Sequence, residues 1–265
     1  MVIAFTNQKG GVGKTTSAVN IAASLGALEK KVLLVDMDPQ GNASTGVGLM
    51  DRNDMLTVYD VIVSGEPVEK VVYTTEFKNL DIIPSFIGLA GAELEISEVE
   101  NRERLLKRAL DSIKDNYDYV IIDCPPSLGL LTVNSLVASD GFVIPVQCEY
   151  YALEGLVQLM NSVSAVKEYY NPALTPVGIL VTMYNARLNF SSRIMSDLKE
   201  HYPEILFETA VTRNVRLSEA PAFGTPVLYY DKFSKGAQSY LALAQEIIER
   251  VEGAGDEATV DSEAE

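Results

Sequence analysis

With 265 residues, 47% of them hydrophobic and 22% charged, the chain can bury a core without disulfide or metal staples, and its composition is neither disordered nor fibrous. Cys124 and Cys148 are too few for a disulfide framework, the apolar start at residues 1–5 lacks the basic flank and length of a signal peptide, and no stretch is long enough to span a bilayer, so the chain reads as cytoplasmic. The net charge of −16, from 37 acids and 21 bases, by itself disfavours polyanionic partners such as DNA or anionic lipid.

In chain order, residues 2–5 predict a short buried strand, 9–13 a glycine-rich turn and 15–25 a helix. Further strands are predicted at 32–35, 80–83, 119–122, 141–146 and 177–183, and helices at 102–114, 128–138, 151–170, 191–201 and 239–251. Continuous apolar strands alternating with helices imply an α/β fold: a single doubly wound, mostly parallel sheet with helices on both faces. Residues 51–78 carry the weakest pattern and read as an irregular surface insertion. No repeat or linker interrupts 1–251, which is taken as one domain. Residues 252–265 hold six acids and no base and read as an acidic disordered tail. Between Arg187 and Arg216 five bases meet four acids, so any nucleic-acid contact belongs there.

The segment Lys9-Gly-Gly-Val-Gly-Lys-Thr-Thr16 lies between the first strand and helix, where backbone N–H groups and the helix dipole can surround a phosphate. Lys14 is placed to reach β/γ-phosphates and Thr15 to ligate Mg²⁺. The ordinary phosphate-loop pattern requires glycine where Gln8 stands; the chain instead fits the deviant form with a second lysine, Lys9, at the loop's start. Asp36 and Asp38 end the second predicted strand and Asp123 the fourth. Carboxyl ends of parallel strands line the ligand crevice, so all three acids should converge on the loop.

These strings, with Pro145-Val-Gln-Cys-Glu-Tyr-Tyr-Ala-Leu-Glu-Gly155 and Arg213-Asn-Val-Arg-Leu-Ser-Glu-Ala-Pro221, closely resemble the ParA/Soj family of chromosome- and plasmid-partitioning ATPases. The resemblance implies a P-loop NTPase of the deviant class, with ATP and Mg²⁺ as cofactors and hydrolysis that is weak alone and stimulated by a ParB/Spo0J-type partner protein. It further implies a nucleotide-sandwich homodimer that binds DNA non-specifically, and nucleoid association without a membrane. By the same resemblance, phosphate contacts fall to Lys9, Gly10, Gly11, Val12, Gly13, Lys14, Thr15 and Thr16, with Lys9 crossing to the partner's nucleotide. Asp38 would place the attacking water, and Thr15, Asp36 and Asp123 would hold the metal. Arg213 and Asn214 would face adenine, and Arg187 and Arg216 would bind DNA. Two positions depart from the family pattern: Thr212 stands where proline is usual, and Lys232 follows Asp231 where proline is usual.

Three other classes share this scaffold. A nitrogenase-type iron protein would need surface thiolates to hold its cluster, whereas Cys124 and Cys148 read as small buried residues. A MinD-like membrane ATPase would need a basic C-terminal helix, and here the last helix runs into acids. A metabolic ligase or kinase would need a substrate pocket for which the sequence gives no sign; the lone His201, on a surface helix, suggests no catalytic role.

Overall fold

A β-strand points successive side chains to opposite faces, so a strand that is apolar at every position needs cover on both. The strands here meet that condition. In the computed structural model, which describes residues 1–50 and 54–262 with side chains to Gly253, β1 (Val2–Phe5), β2 (Val32–Asp36) and β5 (Tyr119–Asp123) are buried throughout. With β3 (Tyr73–Thr74), β4 (Leu80–Ile83), β6 (Gly141–Gln147) and β7 (Thr175–Thr182) they form one sheet in the order β3-β4-β2-β5-β1-β6-β7. Every pairing is parallel except that of the two-residue edge strand β3 with β4.

Two cores follow from the alternation. Val2, Ala4, Leu33, Val35 and Ile122 face one side, packing with α3 (Leu89–Glu95), α4 (Leu105–Leu110), α5 (Leu130–Ala138), α6 (Ala152–Tyr169) and α7 (Asn189–His201). Ile3, Phe5, Val32, Leu34 and Ile121 face the other, against α1 (Lys14–Ala27), α9 (Val227–Tyr230) and α10 (Lys235–Ser262). On this second face the buried Tyr240 hydroxyl of α10 meets Ser17 Oγ of α1 at 3.0 Å.

Several expectations need correction. Residues 54–78 are not a surface insertion: Val58, Val61, Ile62, Val68 and Val71 lie in the first core, on a π-helical turn (Asp60–Ser64) and a 3₁₀ turn (Val68–Val71). Gly65 and Pro67 cut this stretch into apolar pieces too short to show a period; residues 51–53 lie outside the described set. The helix expected at 102–114 is divided, with 3₁₀ turns flanking α4. The short α2 (Asn42–Gly46), α3, α8 (Val215–Glu219) and α9 were not anticipated. The tail expected from residue 252 starts inside α10, and Glu252 Oε1 accepts from Lys30 Nζ at 2.6 Å and from the Tyr119 hydroxyl at 3.1 Å. Side chains past Gly253 lie outside the described residues.

The strand order reverses at β1, whose neighbours are β5 and β6, so the loop after β1 opens at a topological switch point.

Candidate functional site

The glycine-rich loop connects β1 to α1, and its shape depends on glycine at two positions. Gly11 and Gly13 sit at φ +76° and +85°, in the left-handed region that side chains disfavour. Two buried polar residues brace the loop. Asn7 Oδ1 accepts from Lys9 N at 3.0 Å while its Nδ2 donates to Pro145 O at 2.8 Å, and Thr182 Oγ1 donates to Val12 O at 2.7 Å. The loop is thereby tied to β6 and β7.

Lys14 begins α1 and is buried; its Nζ donates to Lys9 O at 3.3 Å. Burial pulls its ammonium below the ordinary lysine range, while Asp123, Cys124 and Asp38 pull the other way. Lys9 behaves differently: it is exposed and its Nζ pairs with Glu149 of the same chain.

Register places two carboxylates side by side, since Asp36 of β2 pairs with Asp123 of β5. Asp36 is fully held: Oδ1 accepts from Asp38 N at 3.1 Å, and Oδ2 accepts from Ser44 N at 2.8 Å and Ser44 Oγ at 2.7 Å. Burial nonetheless raises it to about 6, the Ser44 bonds opposing. Asp123 is as deeply buried, and neither of its oxygens has a hydrogen-bond partner of good geometry, although the Thr15 hydroxyl stands near. Burial first, then the neighbouring Asp36, hold its carboxyl well above the usual range. Asp38 points into a turn, its Oδ1 accepting from Gln40 N at 2.9 Å. Two carboxylates and a hydroxyl are too few to satisfy a hard divalent cation alone, and phosphate oxygens from a nucleotide would complete the set. An orphaned buried carboxylate beside a threonine hydroxyl and a lysine fits that use.

Beside Gly13 and Thr16 opens a cavity of about 170 Å³, lined also by Met183, Thr212, Arg213 and Asn214. Met183 adopts φ +50°, a strained non-glycine conformation where β7 ends and Tyr184 N bonds to Val211 O at 3.0 Å. Asn214 caps α8 with its side-chain oxygen, accepting from Arg216 N at 2.9 Å, while its amide N–H groups stay available to a ligand. Thr212 stands opposite Tyr184 in an isolated bridge. That bridge brings the Arg187 loop and the 213–216 segment to one edge. Arg187 is exposed and makes no ion pair among the described residues, whereas Arg216 pairs with Glu219 at 2.8 Å and Asp231 at 3.3 Å. Cys124 is buried, its thiol pushed up to about 12; Cys148 is half-buried against the first core, not fully buried as expected.

Asn7, Ser44, Glu149, Thr182 and Met183 were missed as site residues by sequence reasoning. Glu149 stood within the quoted string 145–155 and Asn7 just before the loop 9–16; Ser44, Thr182 and Met183 carried no signal.

A sequence family described as an AAA domain matches residues 1–176. The sporulation initiation inhibitor protein Soj of Bacillus subtilis is 52% identical over 93% of this chain and 97% of its own length. The chain belongs to the ParA/Soj family. The chromosome partitioning protein ParA of Myxococcus xanthus is 49% identical over 94% of this chain and 88% of its own. Among solved structures, a cobyrinic acid a,c-diamide synthase from Mycobacterium smegmatis with bound ATP analog and magnesium superposes with a TM-score of 0.83 at 34% identity, covering 96% of both chains. β2 and β5 carry Asp36 and Asp123 to the same end of the sheet.

Proposed function

We propose that the chain is a partitioning ATPase: it binds ATP with Mg²⁺ in the loop 9–16, dimerises across the nucleotide, and in that state holds DNA without regard to sequence until a ParB/Spo0J-type protein stimulates hydrolysis. The observation that carries the nucleotide site is Asp123, buried and unpartnered beside Lys14 and Thr15. Uncompensated buried charge is costly, and a bound cation makes it favourable.

Placement supports the following roles in this reading. N–H groups of residues 10–16 surround the phosphates at the start of α1. Lys14 supplies a fixed cation to the β/γ-phosphates. Thr15, Asp36 and Asp123 would hold Mg²⁺, which supplies charge neutralisation on those phosphates. Asp38, hinged in its turn at the end of β2, orients water for attack. Arg213 and the Asn214 amide border the base cavity. Lys9 leaves Glu149 and turns to the second protomer's nucleotide; the exposed pair it abandons is worth only ~0–1 kcal/mol. Two Arg187–Arg216 edges brought together provide the DNA contact. Among the described residues no helix is long and apolar enough to cross a membrane, and the proposed matrix is the nucleoid.

The test is retention of the full chain on a DNA surface at low salt with ATP, ADP or no nucleotide, alongside phosphate release. ATP-dependent retention supports the reading. Retention that ignores nucleotide, or none in any state, overturns its DNA part; absent phosphate release overturns the ATPase part.

A further inference from the structure

The stretch from Phe86 to Glu100 carries apolar side chains where a solvated helix would carry polar ones. Leu94 is 80% exposed and Ile87 65%, with Ala90 between them, so an i, i+3, i+7 stripe faces water across the turn that leads into α3 and the body of that helix. Val99 and Phe86 extend it. The ledge is braced from beneath: the Phe86 ring stands edge-on to Tyr59 at 5.7 Å, and the Tyr59 hydroxyl donates to Glu95 at 2.9 Å. Around it lie Glu93, Glu95, Glu98 and Glu100, with no basic residue from Phe86 to Glu100.

Both ends of this ledge are wired to the nucleotide carboxylates. Ser85 N, immediately before Phe86, donates to Ser44 Oγ at 3.0 Å, and that same hydroxyl donates to Asp36 at 2.7 Å. At the other end Glu93 accepts from Leu131 N at 3.0 Å, capping α5, which closes the loop that follows Asp123. Glu93 comes so near Gly129 that a Cβ there would lie 2.2 Å from its carboxylate and would make that side chain shift. A body seated on α3 therefore bears on the Asp36 segment through Ser85 and on the Asp123 segment through Glu93.

We propose that the α3 ledge is the docking surface for a basic amphipathic helix of another protein, and that its occupancy alters hydrolysis through these two links. Charge selects the occupant: apolar teeth inside a rim of four glutamates, relieved on one side where the Arg102 guanidinium donates to Ser97 O, match a helix whose leucine-like face is flanked by lysine or arginine. The effect on hydrolysis rests on the ATPase reading above; binding does not.

The test uses the full chain and a fluorescent helical peptide of leucine and lysine with an i, i+3, i+4, i+7 apolar face, against its leucine/glutamate isomer. Expected are saturable binding of the basic peptide only, a loss of about tenfold or more in Ile87→Ser/Leu94→Ser, whose charge is unchanged, and a weakening in Glu98→Lys that Glu249→Lys on α10 does not reproduce. Both sites of the double variant are exposed, so folding is preserved. Glu93→Ala should still bind the peptide but lose its effect on phosphate release. Equal binding by wild type and Ile87→Ser/Leu94→Ser overturns the surface, as does loss of Mg-ATP-dependent self-association in that variant, which would make the ledge a contact between copies. Binding with unaltered hydrolysis in an active wild type overturns the coupling; a chain without phosphate release leaves the binding arm to decide the surface.

Discussion

Replacing Asp123 with asparagine should stabilise the ligand-free chain while destroying its response to Mg-ATP. The carboxylate is fully buried, lacks hydrogen bonds and stands in register with a second buried acid, Asp36. Asparagine is of the same shape and leaves polar atoms equally unpartnered, so the desolvation of a neutral polar group, ~1–3 kcal/mol, cancels between the two chains. What differs is the cost of holding a charge there, about 1.4 kcal/mol for each pH unit by which the carboxyl is raised, up to the assay pH. A gain in stability follows, read as a rise in Tm of roughly 2–4 °C for each kcal/mol in a chain of this size. Wild type should recover the deficit when Mg-ATP is added, by about 2.7 kcal/mol at a hundredfold excess over Kd, because the cation neutralises the buried charge. Asparagine offers no such charge, and its melting temperature should hardly move. Thermal denaturation of both chains with and without Mg-ATP decides it. A ligand-free variant that melts at or below wild type, or one that keeps the full Mg-ATP rise, refutes the reasoning.

The free energy of unfolding without metal should fall as pH rises from about 4 to 6, because Asp36 titrates near 3.8 unfolded and about 6 folded, so the folded chain binds the extra proton; the loss from this group is ~3 kcal/mol, and denaturant titrations showing stability rising across that window would contradict it. Asp38→Ala forfeits one turn hydrogen bond, ~1 kcal/mol, and should bind ATP, persist as a dimer and not turn over; normal phosphate release or a monomeric elution profile would count against the role. Gly10→Val should fold and bind ATP, since nothing in the chain lies within 4 Å of the added Cβ, yet fail to dimerise; a wild-type dimer in ultracentrifugation would show that the loop does not meet a partner. Arg187→Glu and Arg216→Glu should each abolish DNA retention by ATP-bound dimers, and retention by both would move the matrix to another surface.

The sheet, the glycine-rich loop between β1 and α1 and the strand-end acids were legible because each depends on local chemistry. An apolar run between turns reads as a buried strand, and glycines before Lys14 read as a phosphate loop. Residues 54–78 were not legible, because their core side chains come in short pieces whose partners are distant in sequence. Nor was the state of each acid. Asp36 and Asp123 both end apolar strands, yet one holds three hydrogen bonds and the other none of good geometry; two of the three come from Ser44, which no pattern marks, and one from Asp38 N. Arg187 and Arg216 likewise look equivalent along the chain, and only the fold sets Glu219 and Asp231 against the second.

That pairing bears on how so acidic a chain would hold DNA. A protomer with Arg187 and Arg216 neutralises about two phosphates, giving a slope near −1.8 in log affinity against log salt; two protomers on one face give about four and a slope near −3.6. Arg216 is released at little cost, since its pairs with Glu219 and Asp231 are solvent-exposed and screened, and a phosphate offers the guanidinium the same bidentate geometry as a carboxylate. The remaining net charge repels the duplex over distances of about a Debye length, ~8 Å at physiological salt, and this penalty falls on every copy. A second contact, made intramolecular if the nucleotide joins two edges as proposed, would double the cations on one face against that penalty. On this reading the acidity opposes DNA binding by the lone protomer and sharpens the dependence on ATP, so the charge that argued against DNA in the sequence becomes what restricts it to the dimer.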